Sequence, residues 1–434
     1  MDTTINYIIS FLLGEENSEL IQYVEYDKQK PFAKISIKPS GFFRKDMYLS
    51  PSSIPSLPLK EISGIPLLFG EPRIEKTDRT IVIHADLVAS TFFLVSRYEE
   101  CVNTQDRDEH GRFLGRDSIL YKTGYIMRPL VDEYREFLLG LLEKMGVTVC
   151  KRKSCFSKVY LTHDVDQIWN WRNLYHAMRT FAKRTLITRQ DQLESLKAWK
   201  NYEKYDKIYT FPWLVKMDNQ LRYKLGSKMV ESVYFLMGSK HGEYDFGYIS
   251  KKKRVKKLAD FLVSNGAVLG VHASYATGEA PSQIAEEKSR IEKITGYKIE
   301  YNRNHYLDSR EPEDMQQLVK NHISDDFTLG YADMVGFRLG TTRPVRWIDP
   351  LNLKVTDLVL HPLSIMECTL DGYKYMNLDE EKAYSVSCEI VDVVYRYAGE
   401  LVLLWHNTTV AENAGNYQRD LYTKILQYIE KKAD

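Results

Sequence analysis

The chain has 434 residues, with 60 Lys and Arg against 59 Asp and Glu, a formal charge of +1 and 44% apolar residues. That balance excludes a disordered or collagen-like chain and removes the net positive field on which a globally basic nucleic-acid binder depends. The length predicts two or three domains, and the 30 tyrosines and 6 tryptophans are expected to serve mainly packing.

The first 14 residues hold an apolar patch (Tyr7, Ile8, Ile9, Phe11, Leu12, Leu13) but carry Asp2 where a secretory leader has basic residues. Nowhere does an apolar run reach the ~18 residues of a membrane span. Five scattered cysteines, Cys101, Cys150, Cys155, Cys368 and Cys388, form no C-x-x-C pair, which fits a reducing compartment. A cytoplasmic location without an integral membrane segment is therefore expected. The N-terminal elements are a helix-like start, a short alternating run (Phe32–Lys38), a proline-rich stretch (Pro51–Pro66) and the run Ile81–His84. An amphipathic helix is expected over Asp86–Glu100, with Leu87, Phe92, Leu94 and Val95 as its apolar face. After a polar loop, Asn103–Arg116, a helix over Pro129–Met145 completes a small α+β domain, residues 1–150, closed by the basic linker Lys151-Arg-Lys153.

From Lys158 onward short apolar runs alternate with longer helical patterns. The runs are Val159–Leu161, Ser232–Leu236, Ala267–Val271, Lys298–Tyr301, Asp357–Leu360 and Leu401–Leu404. Between them helices are expected over Lys251–Asn265, Gln283–Thr295 and Glu313–His322. This cadence predicts an α/β fold with parallel strands. The basic and aromatic stretch Trp169–Leu221 reads as an insertion between the first two strands.

Four of these runs end abruptly in chemically capable residues. Val159–Leu161 leads into Thr162-His-Asp-Val-Asp166, and Ala267–Val271 into His272-Ala-Ser274. Lys298–Tyr301 leads into Arg303-Asn-His-Tyr306, and Leu401–Leu404 into Trp405-His-Asn407. In a β/α barrel such strand ends open onto one face, and His272 and His305 stand 33 residues apart, close to the ~31 of one barrel unit. One of Asp164 and Asp166 can ligate a divalent metal while the other acts as general base. His272 and His305 are further ligand or acid candidates, and Arg303 can orient a carboxylate. His163 reads as a packed structural histidine. His84, His110, His176, His241, His322 and His361 read as surface or core residues, and Lys251–Arg254 as a solvated helix face.

These residues resemble the motifs of the polysaccharide deacetylases of the NodB-homology superfamily, carbohydrate esterase family 4. Thr162-His-Asp-Val-Asp166 is similar to the family's first motif, His272-Ala-Ser-Tyr-Ala276 to the His-Ser/Thr-x-x-His motif, Arg303-Asn-His-Tyr306 to Arg-x-Pro-Tyr, and Leu404-Trp-His406 to Leu-x-His. The resemblance spans residues 155–434 and implies a distorted (β/α) barrel of about seven strands. It implies a metal-dependent hydrolase that removes acetyl groups, N-acetyl ahead of O-acetyl, from a sugar or glycan intermediate. Asp164 falls at the base, Asp166 and His272 at metal ligands, and His406 at the general acid. Arg303 falls at the orienting position, and Tyr306 at a backbone oxyanion donor.

Ala276 stands where the family has its second metal histidine, so His305, in the family's proline position, is the expected third ligand. Zinc is the expected ion, with cobalt or manganese as alternatives. Asp333 and Glu367 are the candidates for the carboxylate that tunes His406. Phe92–Glu100 and Asp108–Phe113 resemble an uncharacterised domain that precedes deacetylase-like domains in some bacterial proteins. Ala276 also motivates an alternative, a catalytically inactive relative acting as a glycan-binding or scaffolding module. A third reading, nucleic-acid binding through Trp169–Leu221, conflicts with the neutral charge balance.

Overall fold

The computed structural model describes residues 1–24, 32–77, 79–150, 152–170, 197–198, 200–240, 242, 244–412 and 414–433. Most of the expected insertion, together with His176 and His241, lies outside the described residues. The chain forms two compact units. The first comprises Met1–Cys155, Tyr306–Ser364 and Asp392–Glu400; the second comprises Phe156–His305, Ile365–Val391 and Leu401–Asp434. Both mix helices and strands. No helix among the described residues is long and apolar enough to cross a membrane.

In the first unit, Ile21–Tyr23, Ile35–Ile37 and Ile81–Ala85 run parallel, and Gly70–Lys76 adds antiparallel to the last of them. Ile81–Ala85 alternates buried and half-buried residues, the period-2 signature of a strand with one face on a core. Leu87–Val95 follows as a helix, capped by the Asp86 carboxylate, which accepts from the Ala89 N–H at 2.9 Å.

This element corrects the expectation of one amphipathic helix over Asp86–Glu100. All nine residues of Leu87–Val95 are buried, the chain turns through a left-handed Arg97 (φ 56°), and a second short helix spans Tyr98–Val102. A helix that is apolar all round belongs inside the core. Of its two hydroxyls, that of Ser90 donates to the Asp86 carbonyl (2.8 Å) and that of Thr91 is buried without a hydrogen-bond partner; Ser96, just past the helix, donates to the Phe92 carbonyl (2.6 Å). Phe42 packs against this helix, its ring 5.9 Å from Phe92, 4.7 Å from Phe69 and 4.8 Å from Tyr98, and Phe43 stands 5.2 Å from Phe92. The Arg-Tyr-Glu-Glu run is internal as well: Arg97 pairs with Glu100 (2.5 Å) and Glu311 (3.0 Å), and Arg338 pairs with Glu100 (2.8 Å). Burial works against the Glu100 charge, but Arg338 and Arg97 hold its carboxyl down to about 2.

His361 is buried in the same unit between two carboxylates, with Nδ1 2.7 Å from Glu400 and Nε2 2.8 Å from Asp325. Its ring stacks on Phe327 at 4.4 Å and 6°. Burial alone would lower its pKa, yet hydrogen bonds to Asp325 and Glu400 push it from 6.5 up to about 9. A histidine raised in the folded state contributes its stability fully below pH 6.5 and loses it as pH rises through 9. The imidazolium is worth on the order of 3 kcal/mol at pH 6 by this linkage. Urea unfolding is therefore expected to show a stability decline between pH 6.5 and 9.5 that His361→Gln flattens. Equal pH slopes for the two proteins would contradict this assignment.

In the second unit the strands neighbour one another in the order Tyr301–Asn304, Val268–Ala273, Val230–Met237, Lys158–Val165, Glu400–Leu404, Ile365–Met366. Every recorded pairing among them is parallel. Seven of the eight residues of Lys158–Val165 are buried, as expected of a strand covered on both faces. The helix Lys252–Ser264 turns Val255, Leu258, Ala259 and Leu262 inward at i, i+3, i+4, i+7, leaving Lys252, Lys253, Lys256 and Lys257 in solvent. That lysine run is a solvated helix face.

Candidate active site

Parallel strands in register bring the residues that follow their C-terminal ends to one level. His272 pairs in register with both Met237 and Arg303, Asp164 with Phe235, and Met366 with Leu404. Asp164, Asp166, His272, Arg303, His305, Glu367 and His406 thus stand at or just beyond the ends of five strands of the second unit.

Arg303 is fully buried, and one guanidinium nitrogen donates to the Thr162 hydroxyl (2.7 Å) and to Asp164 Oδ1 (3.2 Å). Its charge lies 4.7 Å from the Phe235 ring centre. That ring needs Gly270, where a Cβ would stand 2.4 Å from Phe235 Cδ1. With Oδ1 held, Asp164 turns Oδ2 towards His272 Nε2 (3.6 Å) and His406 Nε2 (3.9 Å).

The two histidines that flank Asp166 share an arrangement. His272 Nδ1 lies 2.9 Å from the Arg303 carbonyl, which can only accept, so Nδ1 carries the hydrogen and Nε2 of the neutral ring holds a lone pair. His305 Nδ1 lies 3.0 Å from the buried Asp245 carboxylate, which fixes the same tautomer. Both Nε2 atoms approach Asp166 Oδ1, at 3.3 Å and 3.8 Å, and the donor atoms of all three residues lie within 4.8 Å of one another. Yet His272 Nε2 and Asp166 Oδ1 are buried with no hydrogen-bond partner. Two lone-pair donors and a carboxylate oxygen aimed at a common point, with no hydrogen between them, fit a divalent cation.

His406 faces this group from the other side. Its Nδ1 donates to Glu367 Oε1 at 2.7 Å, and the same oxygen accepts from the His406 backbone N–H (2.8 Å) and the Thr409 hydroxyl (3.0 Å). Glu367 is fully buried. Burial lowers the His406 pKa, but the Glu367 charge and the nearby Cys368 raise it well above 6.5. Its Nε2 lies 3.8 Å from Asp166 Oδ2. Cys368 is no nucleophile, since burial and Glu367 push its thiol up to about 11.

Of the two carboxylates considered for His406, Glu367 makes the contact. Asp333 lies in the first unit and accepts from the Gly115 and Arg116 N–H groups. Tyr306, directly after His305, has a left-handed backbone (φ 62°), and its carbonyl accepts from Arg112 (3.1 Å). Ala276 lies in the short helix Tyr275–Glu279. His163 is fully buried between the Trp405 carbonyl and Asp218. Asp245 escaped the sequence reading because it lies in a loop past Met237, with no apolar run leading into it.

Residues 3–146 match the model of a family of unknown function, DUF7033. No curated protein matches the chain. Among solved structures, the chain is similar to a putative polysaccharide deacetylase from Mycobacterium smegmatis, at 13% identity over 66% of this chain and 86% of that one, TM-score 0.38. It is also similar to a CE4 family pseudoenzyme from Bacillus anthracis, at 10% identity over 65% and 64%, TM-score 0.33. A third is a polysaccharide deacetylase from Bacillus cereus, at 14% identity over 65% and 89%, TM-score 0.30.

Proposed function

We propose that the chain is a metal-dependent hydrolase that removes acetyl groups, N-acetyl ahead of O-acetyl, from a sugar or glycan intermediate. Its sheet is read as part of a distorted (β/α) barrel of about seven strands. One observation carries the reading: His272 and His305 each commit Nδ1 to an acceptor and turn Nε2 to the same Asp166 oxygen, two of whose three atoms are buried without a partner. The motif resemblance of residues 155–434 supplies the substrate class.

Asp166, His272 and His305 would hold the ion, zinc by its N and O donors, with cobalt or manganese able to replace it. A bound ion of this kind polarises a carbonyl and acidifies a water. The side chains supply the remaining chemistry. Asp164, positioned by Arg303, accepts the proton of the attacking water on Oδ2 as the water oxygen bonds to the acetyl carbon. His406, oriented by Glu367, donates its Nε2 proton to the departing nitrogen as the C–N bond breaks, leaving acetate and the free amine. The tetrahedral charge develops between the cationic His406 and the ion site.

The test measures acetate release from N-acetylglucosamine oligomers and O-acetylated sugars with Zn²⁺, Co²⁺ or Mn²⁺, alongside elemental analysis of the purified chain. Acetate release that depends on a bound ion is expected. Stoichiometric metal with no release from any sugar, but retained glycan binding, would favour the non-catalytic module that Ala276 motivates. A further outcome concerns Asp245, which orients His305. Asp245→Asn is expected to weaken zinc binding by roughly 10–100-fold, read by competition with a chromophoric chelator. Unchanged affinity would remove the orienting role.

A further inference from the structure

A cavity of about 290 Å³ lies wholly within the first unit. Its lining includes four arginines, Arg135, Arg152, Arg343 and Arg396, and two carboxylates, Asp132 and Glu136. Asp132, Arg135 and Glu136 share one face of the helix Leu130–Lys144 through their i, i+3, i+4 spacing. Arg396 ends the helix Glu380–Arg396.

The two carboxylates offset only two of the four arginine charges. Asp132 accepts from the Thr341 hydroxyl (3.0 Å), the Thr342 N–H (2.7 Å), the Thr342 hydroxyl (2.9 Å) and Arg343 Nε (2.7 Å), which fills the acceptor sites of both its oxygens. Glu136 is exposed to solvent. Arg343 is held firmly: Nη1 donates to the Phe11 carbonyl (2.5 Å) and the guanidinium lies 4.1 Å from the Phe11 ring centre. Its Nη2 is nevertheless buried with no partner. Burial, and after it the neighbouring charges of Arg343 and Arg152, lower the pKa of Arg135.

A guanidinium offers paired N–H donors that match the oxygens of a phosphate, and several forks around one cavity suit a group with two or more negative charges. The volume sits at the lower bound of small-molecule pockets, room for a phosphate or diphosphate and part of its substituent. We propose that this arginine-lined cavity binds the phosphate or diphosphate group of a soluble small molecule.

The test titrates the full chain calorimetrically at low salt with inorganic pyrophosphate and with a hexose 1-phosphate. Sulfate at matched ionic strength serves as the general-anion control, and vesicles containing phosphatidic acid as the lipid arm. Arg152 and Arg396 are exposed, so the double variant Arg152→Ala/Arg396→Ala is expected to keep the native unfolding midpoint. Pyrophosphate is expected to bind the native chain near one equivalent and the double variant at least tenfold more weakly. Equal affinity for both proteins, or binding of sulfate as tight as pyrophosphate, would overturn the site. Binding to phosphatidic acid vesicles without binding to the soluble phosphates would overturn the soluble ligand. Arg343→Lys, which keeps the charge but loses the fork, guards against a misfolded variant: a native midpoint with lost pyrophosphate binding supports the site, and a native midpoint with full binding counts against it.

Discussion

Asp164→Asn is expected to reduce acetate release by about 10²–10⁴-fold, the usual contribution of a positioned general base. The amide keeps the shape of the side chain and can still accept from Arg303 through its carbonyl oxygen, so the Thr162–Arg303–Asp164 arrangement survives. What it loses is the capacity of Oδ2 to take a proton. Asp164 is not among the three residues, Asp166, His272 and His305, whose donor atoms cluster. Metal content is therefore expected to match the native chain, and KM to stay within about threefold. A variant with native turnover would remove Asp164 from the base role. A variant that loses its metal together with its activity would make Asp164 a ligand instead.

His305→Ala carries the second large effect. Loss of a partner that merely orients a ligand costs roughly 10–100-fold in metal affinity, so loss of the ligand is expected to cost at least ~10²-fold. Truncation leaves His272 Nε2 and Asp166 Oδ1 as a two-donor site, below the three protein ligands usual for hydrolytic zinc. The readout is zinc affinity by chelator competition, independent of turnover. The double variant His305→Ala/Ala276→His supplies a complementary test: recovered affinity would show that position 276 can furnish the missing nitrogen. Native affinity in His305→Ala alone would end the proposed ligand set.

The strand-end residues were legible because of how sheets are built. A buried parallel strand opens as an apolar run, and polar groups return over its last residues or just past them, as at Thr162–Asp166, His272 and His406; Tyr301–Asn304 differs, a polar strand that begins where the expected run Lys298–Tyr301 ends. The lysine-rich face of Lys252–Ser264 was readable from its 3.6-residue period for the same kind of reason. Where periodicity was absent, the reading failed. Leu87–Val95 is apolar on every side, so no single face marks it as a core helix, and the break at Arg97 depends on buried partners more than 200 positions away.

Composition, strand cadence and the order of the polar clusters are local or periodic properties, legible in one dimension: a mixed α/β chain with acids, histidines and an arginine near successive strand ends. Pairing across the chain is not local. It takes the folded chain to bring Glu367 rather than Asp333 to His406, to set the tautomer of His305 with Asp245, and to pack residues 306–364 with the N-terminal 155 residues. A hydrogen bond is fixed within a few tenths of an ångström, and nothing in one-dimensional spacing reports which distant loop supplies the second atom.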